Sequence, residues 1–150
     1  MHIDSEDKNS YIVYLVIRDF DCSPEELTRQ LEIQPTETLK KGEYRMVGKK
    51  NPTKMLNKIN YWKFAPNVSE DVSIERQFKI LLEKLKPFKE NFIKVSKKYT
   101  LRITCAAYYY EINPGINLSP EILEEIAQLH AEIRFDLYFL GGASALPQFV

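Results

Sequence analysis

The chain has 150 residues, with 44% hydrophobic and 28% charged side chains, which is the composition of one globular domain rather than a collagen-like, disordered or membrane chain. Its 21 Lys and Arg balance 21 Asp and Glu, so no global field draws it to nucleic acid or to an anionic membrane. Two cysteines, Cys22 and Cys105, are too few for a disulfide framework and read as reduced, buried thiols.

The polar, acidic N-terminus lacks the basic start and apolar run of a signal peptide, and no apolar stretch approaches a membrane span, so a cytoplasmic location is expected. Tyr11–Arg18 (YIVYLVIR) reads as a strand. Ser23-Pro24-Glu25-Glu26 opens a helix, with Ser23 as cap, Pro24 at the first position and acids at the positive end of the dipole; it runs to about Glu32 and stops before Pro35. Residues 33–60, punctuated by Gly42, Gly48 and Pro52, read mostly as loop with a short strand near Glu43–Val47, and Tyr61–Phe64 as a short strand. Across residues 72–98 Ile74, Phe78, Leu81, Leu85, Phe88, Phe92 and Val95 form one apolar stripe, the mark of a helix packed on the protein's own core; Pro87 divides or kinks it. Thr100–Tyr110 alternates as a strand, Asn113-Pro114-Gly115 turns the chain, Ser119–Leu129 is a helix and Glu132–Leu140 a strand ended by Gly141-Gly142.

Ser23-Pro24-Glu25-Glu26-Leu27 is echoed by Ser119-Pro120-Glu121-Ile122-Leu123, each after a strand. Two strand–helix–strand halves predict an α+β fold: a two-layer, ferredoxin-like split βαβ sheet in one domain spanning 1–150, with a helical segment inserted between the halves and mobile termini at about 1–9 and 142–150. Strand alternation and helix faces select a core of Leu15, Ile17, Leu27, Leu31, Leu101, Ile103, Cys105, Leu123, Ile126, Phe135 and Leu137, with Trp62 buried against a helix and its N–H bonded.

The run Phe20-Asp21-x-Ser23-Pro24-Glu25-Glu26-Leu27-Thr28 to Leu31-Glu32-Ile33-Gln34-Pro35-Thr36 resembles the opening of a bacterial family designated only as domain of unknown function 4279. Lys41-Gly42-Glu43, Trp62, Asn113-Pro114-Gly115 with Leu118-Ser119-Pro120, and Phe135-Asp136-Leu137-Tyr138 resemble its later landmarks in the same order, over about residues 11–140. The resemblance implies a small, freestanding, cytosolic bacterial protein and carries no activity or catalytic residues.

Chemistry-bearing patterns are sparse. His2 lies in the N-terminal segment, and His130 stands where it can serve the carbonyls that end the last helix. No zinc spacing, phosphate-cradling glycine loop or nucleophile elbow occurs, so no cofactor or metal is expected. Asp19, Asp21, Glu25 and Glu26 read as acids at a helix start. Charge is nevertheless uneven: residues 38–58 carry seven basic side chains against Glu43 alone, residues 76–102 nine against two acids, and residues 111–136 six acids against Arg134.

Assigning the apolar alternation to the helix-covered face leaves Tyr14, Arg18, Tyr61, Lys63, Arg102, Thr104, Tyr108, Tyr110, Arg134, Asp136 and Tyr138 on the other, with five of the nine tyrosines among them. Tyrosine and arginine are the side chains interfaces favour. The candidate binding residues are therefore Tyr14, Arg18, Arg102, Tyr108, Tyr110, Arg134 and Tyr138, on an open sheet face serving a protein partner or a second copy of the chain. The expected function is that of a non-catalytic protein-binding module, immunity-like or regulatory. Binding of nucleic acid through the basic loop 38–58 and an unrecognised enzyme activity are the alternatives.

Overall fold

A computed structural model describes residues 8–141. The expectations for the remaining terminal residues, including His2 and the tail after Gly141, lie outside them. In chain order the elements are β1 (Ser10–Arg18), α1 (Pro24–Leu31), β2 (Glu37–Leu39), β3 (Tyr44–Val47), β4 (Thr53–Leu56), β5 (Tyr61–Phe64), α2 (Ile74–Leu85), a 3-10 turn (Lys86–Phe88), α3 (Lys89–Ser96), β6 (Leu101–Tyr109), α4 (Pro120–Gln128) and β7 (Ala131–Phe139).

The helix starts follow their sequence signals. Ser23, Ser73 and Ser119 each accept a backbone N–H three residues on, and proline stands at the first position of α1 and α4. Pro87 lies in the 3-10 turn that separates α2 from α3, so the apolar stripe of 72–98 is divided as expected. His130 serves α4 through its backbone: at φ 55° its N–H bonds the Ala127 carbonyl at 3.0 Å.

The architecture is α+β, with a mixed five-stranded sheet in the order β2-β5-β1-β6-β7 and a separate β3–β4 hairpin. β1 runs antiparallel to β5 and β6, whereas β6 and β7 are parallel neighbours. These pairings differ from the expected ferredoxin-like split, which needs a strand lodged between the two parallel strands of each unit. The β1–α1–β2 unit meets that condition, with β5 antiparallel between its two strands, but the β6–α4–β7 unit is an ordinary adjacent crossover. Residues 33–60, read mostly as loop, contain three strands.

The odd-numbered residues of β1 and β6 meet all four α-helices in one core that includes Leu15, Ile17, Leu27, Leu31, Trp62, Phe78, Leu81, Phe92, Ile103, Cys105 and Ile126. The helical segment 72–98 thus lies on the same side as α1 and α4. Three residues expected in the core are not there: Leu123, Phe135 and Leu137 are 47%, 41% and 42% exposed. α4 is only about 14 Å long, against about 30 Å for the nine residues of β7. It seats Ile122, Ile126 and Leu129, turns Leu123 outward, and covers the start of β7 only. Asn9, placed by sequence at the edge of a mobile terminus, is fixed: its Oδ1 accepts the N–H groups of Tyr110 and Glu111, both at 2.8 Å.

Candidate ligand-binding cleft

On the face away from the helices, strand pairing sets side chains in rows. Tyr14 stands opposite Thr104, Val16 opposite Lys63 and Arg102, and Arg18 opposite Tyr61. Thr104 then meets Arg134, Ala106 meets Asp136, and Tyr108 meets Tyr138. Among the described residues no helix covers this face: the helices' buried side chains join the opposite core.

Part of the face is roofed by the β3–β4 hairpin. Arg45 and Met55, paired across its two strands, join Leu56, Asn57, Lys58 and Ile59 as one wall of a cleft of about 620 Å³. Tyr14, Val16, Arg18, Tyr61, Arg102, Thr104, Arg134 and Asp136 from the sheet, with Glu37 and Leu39 of β2, form the remainder. Five cationic groups (Arg18, Arg45, Lys58, Arg102 and Arg134) face two acids, Glu37 and Asp136. Opposed strands with interleaved cations concentrate positive potential in a recess.

Two asparagines hold the hairpin at its base. Asn60 Oδ1 accepts the Lys41 N–H at 2.8 Å, while its Nδ2 donates to the carbonyls of Phe20 at 2.7 Å and Cys22 at 3.1 Å. Asn57 Nδ2 donates to the Lys40 carbonyl, and the Asn57 and Gly42 backbones bond across the neck. Asn57 is 7% exposed, and its buried Oδ1 has no hydrogen-bond partner.

The cations differ in availability. Arg102 Nε lies 2.6 Å from Glu132 Oε1, and Arg134 Nε 3.0 Å from Asp136 Oδ1. Lys63 Nζ sits 4.4 Å from the centre of the Tyr14 ring. Burial, followed by the Asp136 charge, raises the Tyr14 pKa. Burial pushes that of Tyr61 up to about 12. Both phenols are therefore neutral hydrogen-bond donors near neutral pH. Because the Tyr61 pKa is raised on folding, its contribution to stability is complete below pH 10 and is lost as pH rises from about 10 to 12. Tyr61→Phe should flatten part of the decline in unfolding midpoint over that window; an identical alkaline profile would show that the phenol carries none of it.

Of the seven binding residues expected from sequence, the cleft brings together Tyr14, Arg18, Arg102 and Arg134. Tyr108 and Tyr138 stand outside it as a stacked pair, ring centres 4.9 Å apart and planes within 9°. Tyr110 lies beyond the end of β6, its N–H held by Asn9. Sequence reasoning missed the hairpin wall, although the basic run 38–58 had already marked Arg45 and Lys58. Among the described residues no cluster of His, Cys, Asp or Glu could hold a metal ion, and no helix is long and apolar enough to cross a membrane.

A family model described as "Domain of unknown function (DUF4279)" matches residues 9–140. No curated protein and no solved structure matches the chain.

Proposed function

The chain belongs to the DUF4279 family, and we propose that it acts as a non-catalytic, cytoplasmic binding module whose cleft takes an acidic segment of a partner protein. The observation that carries this reading is the convergence of two separate sequence features on one recess: the tyrosine–arginine face of the sheet and the basic run 38–58. The hairpin also favours a protein over a small anion. Its outer face shows Tyr44 at 60% and Met46 at 63% exposure, with Lys54 over the Tyr44 ring. Exposed apolar groups beside a basic cleft suit a chain that brings both carboxylates and side-chain area. An immunity-like or regulatory role is the form such a module would take.

The test is titration of the protein with a polyglutamate peptide at low ionic strength, with a single-stranded oligonucleotide as the competing probe. Arg18→Glu with Arg45→Glu should weaken peptide binding more than tenfold and leave the melting temperature nearly unchanged, since among the described residues neither side chain is held in an ion pair as Arg102 is by Glu132. Lys94→Glu with Lys97→Glu on the helical side should leave binding intact. Tighter binding of the oligonucleotide, or no cleft dependence of peptide binding, would reject the reading.

A further inference from the structure

Among the described residues β7 is the long edge of the sheet, nine residues paired on one side only, with Phe135, Leu137 and Phe139 each about two-fifths exposed. A long, apolar, unpaired edge is a template for strand addition. The Leu140 N–H bonds the Tyr109 carbonyl, so even-numbered residues of β7 turn their backbone groups to β6 and odd-numbered residues turn theirs to the open edge.

From this pattern we propose that the occupant of the edge is β7 of a second copy of the chain, antiparallel about a two-fold axis through Phe135. Phe135 is the middle residue of Ala131–Phe139, so this register alone overlaps all nine residues. Being odd-numbered, it exchanges its outward N–H and C=O with its counterpart, as do the pairs Ile133 with Leu137 and Ala131 with Phe139. Exposed apolar side chains then meet one another on one face. On the other, Arg134 of each copy stands opposite Asp136 of the other, and Glu132 opposite Tyr138. Centring the axis one residue earlier opposes arginine with arginine; one residue later opposes aspartate with aspartate. Like charges directly opposite are destabilising in a sheet, so charge and overlap select the same register. Residues 142–150 carry no charged side chain to answer Arg134 and Asp136, whereas a second β7 carries both, which favours a second copy as the occupant. The dimer would be a ten-stranded continuous sheet with its two clefts on one face.

The register makes a reciprocal prediction for the full-length chain in analytical ultracentrifugation, without any peptide present. The unaltered protein should sediment as a dimer. Arg134→Glu alone opposes Glu to Asp136, and Asp136→Arg alone opposes Arg to Arg134, so each should shift to monomer. An equimolar mixture of the two variants should recover a heterodimer, although neither chain regains its own internal 134–136 ion pair. Phe135→Cys should form a disulfide-linked dimer on mild oxidation, whereas Leu137→Cys, which meets Ile133 instead, should not. A monomeric unaltered protein overturns the proposal, as does a dimer that both charge variants retain or that the mixture fails to restore.

Discussion

Replacing Gln77 with Leu is expected to lower the unfolding free energy by about 3 kcal/mol, although the substitution adds apolar surface to an apolar helix face. β6 pairs with almost all of β1, but β5 reaches only Leu15–Arg18 on its other side. Among the described residues the backbone groups of Tyr11 and Val13 have no strand to bond on that side, and the Tyr11 N–H bonds the Glu70 carbonyl at 2.8 Å instead. Gln77, 3% exposed on α2, substitutes for one: its Oε1 accepts the Val13 N–H at 3.2 Å, and its Nε2 donates to the carbonyls of Tyr11 at 2.8 Å and Val72 at 2.9 Å. Leucine keeps the packing and strands these backbone groups, each with a desolvation cost of about 1–3 kcal/mol that water entry relieves in part. Gln77→Glu should also destabilise, since it loses both donors and brings a carboxylate against two carbonyls. Urea denaturation measures both. A loss below about 0.5 kcal/mol for Gln77→Leu would mean that the edge of β1 is satisfied by solvent.

Trp62→Ala should cost about 3–5 kcal/mol, the range for removing a buried large aromatic side chain. Trp62 is fully buried, meets the Phe92 ring edge-on at 6.2 Å between centres, and donates its indole N–H to Thr28 Oγ1 at 3.1 Å. It therefore locks β5 to α1 and α3 together. Thr28→Val keeps the volume and removes the acceptor, so its cost should be near 1 kcal/mol, as for one hydrogen bond. Emission from this sole tryptophan should be blue-shifted in the native protein and move to the red on unfolding. A native emission maximum like that of tryptophan in water would contradict its burial.

The local grammar was legible. Serine caps, the proline starts of α1 and α4, the break at Pro87, the inward alternation of β1 and β6 and the burial of Trp62 all follow from nearest neighbours and periodicity. What failed was non-local. Phe135 and Leu137 alternate as regularly as Ile103 and Cys105, and nothing in their own strand records that α4 ends too soon to cover them. The second half departs from the split topology for a related reason, since alternation fixes which way a side chain points and not which strand lies beside it. The hairpin reads mostly as loop because its position depends on the side chains of Asn57 and Asn60 bonding backbone far from them in sequence. The same missing information separated Arg45 and Lys58 from Tyr14, Arg18, Arg102 and Arg134, which the fold gathers into one recess. Gln77 shows no sign of its role in the sequence, because a polar residue beside an apolar stripe normally faces water.

Backbone amide resonances followed during titration with polyglutamate peptide would test the central claim most directly, that the binding surface is the cleft rather than the basic helices. The account predicts shifts concentrated at Tyr14–Arg18, Arg45, Met55–Tyr61 and Arg102–Thr104, fading with added salt. Shifts concentrated instead on residues 76–98 of the helical side, or none at low salt, would contradict it.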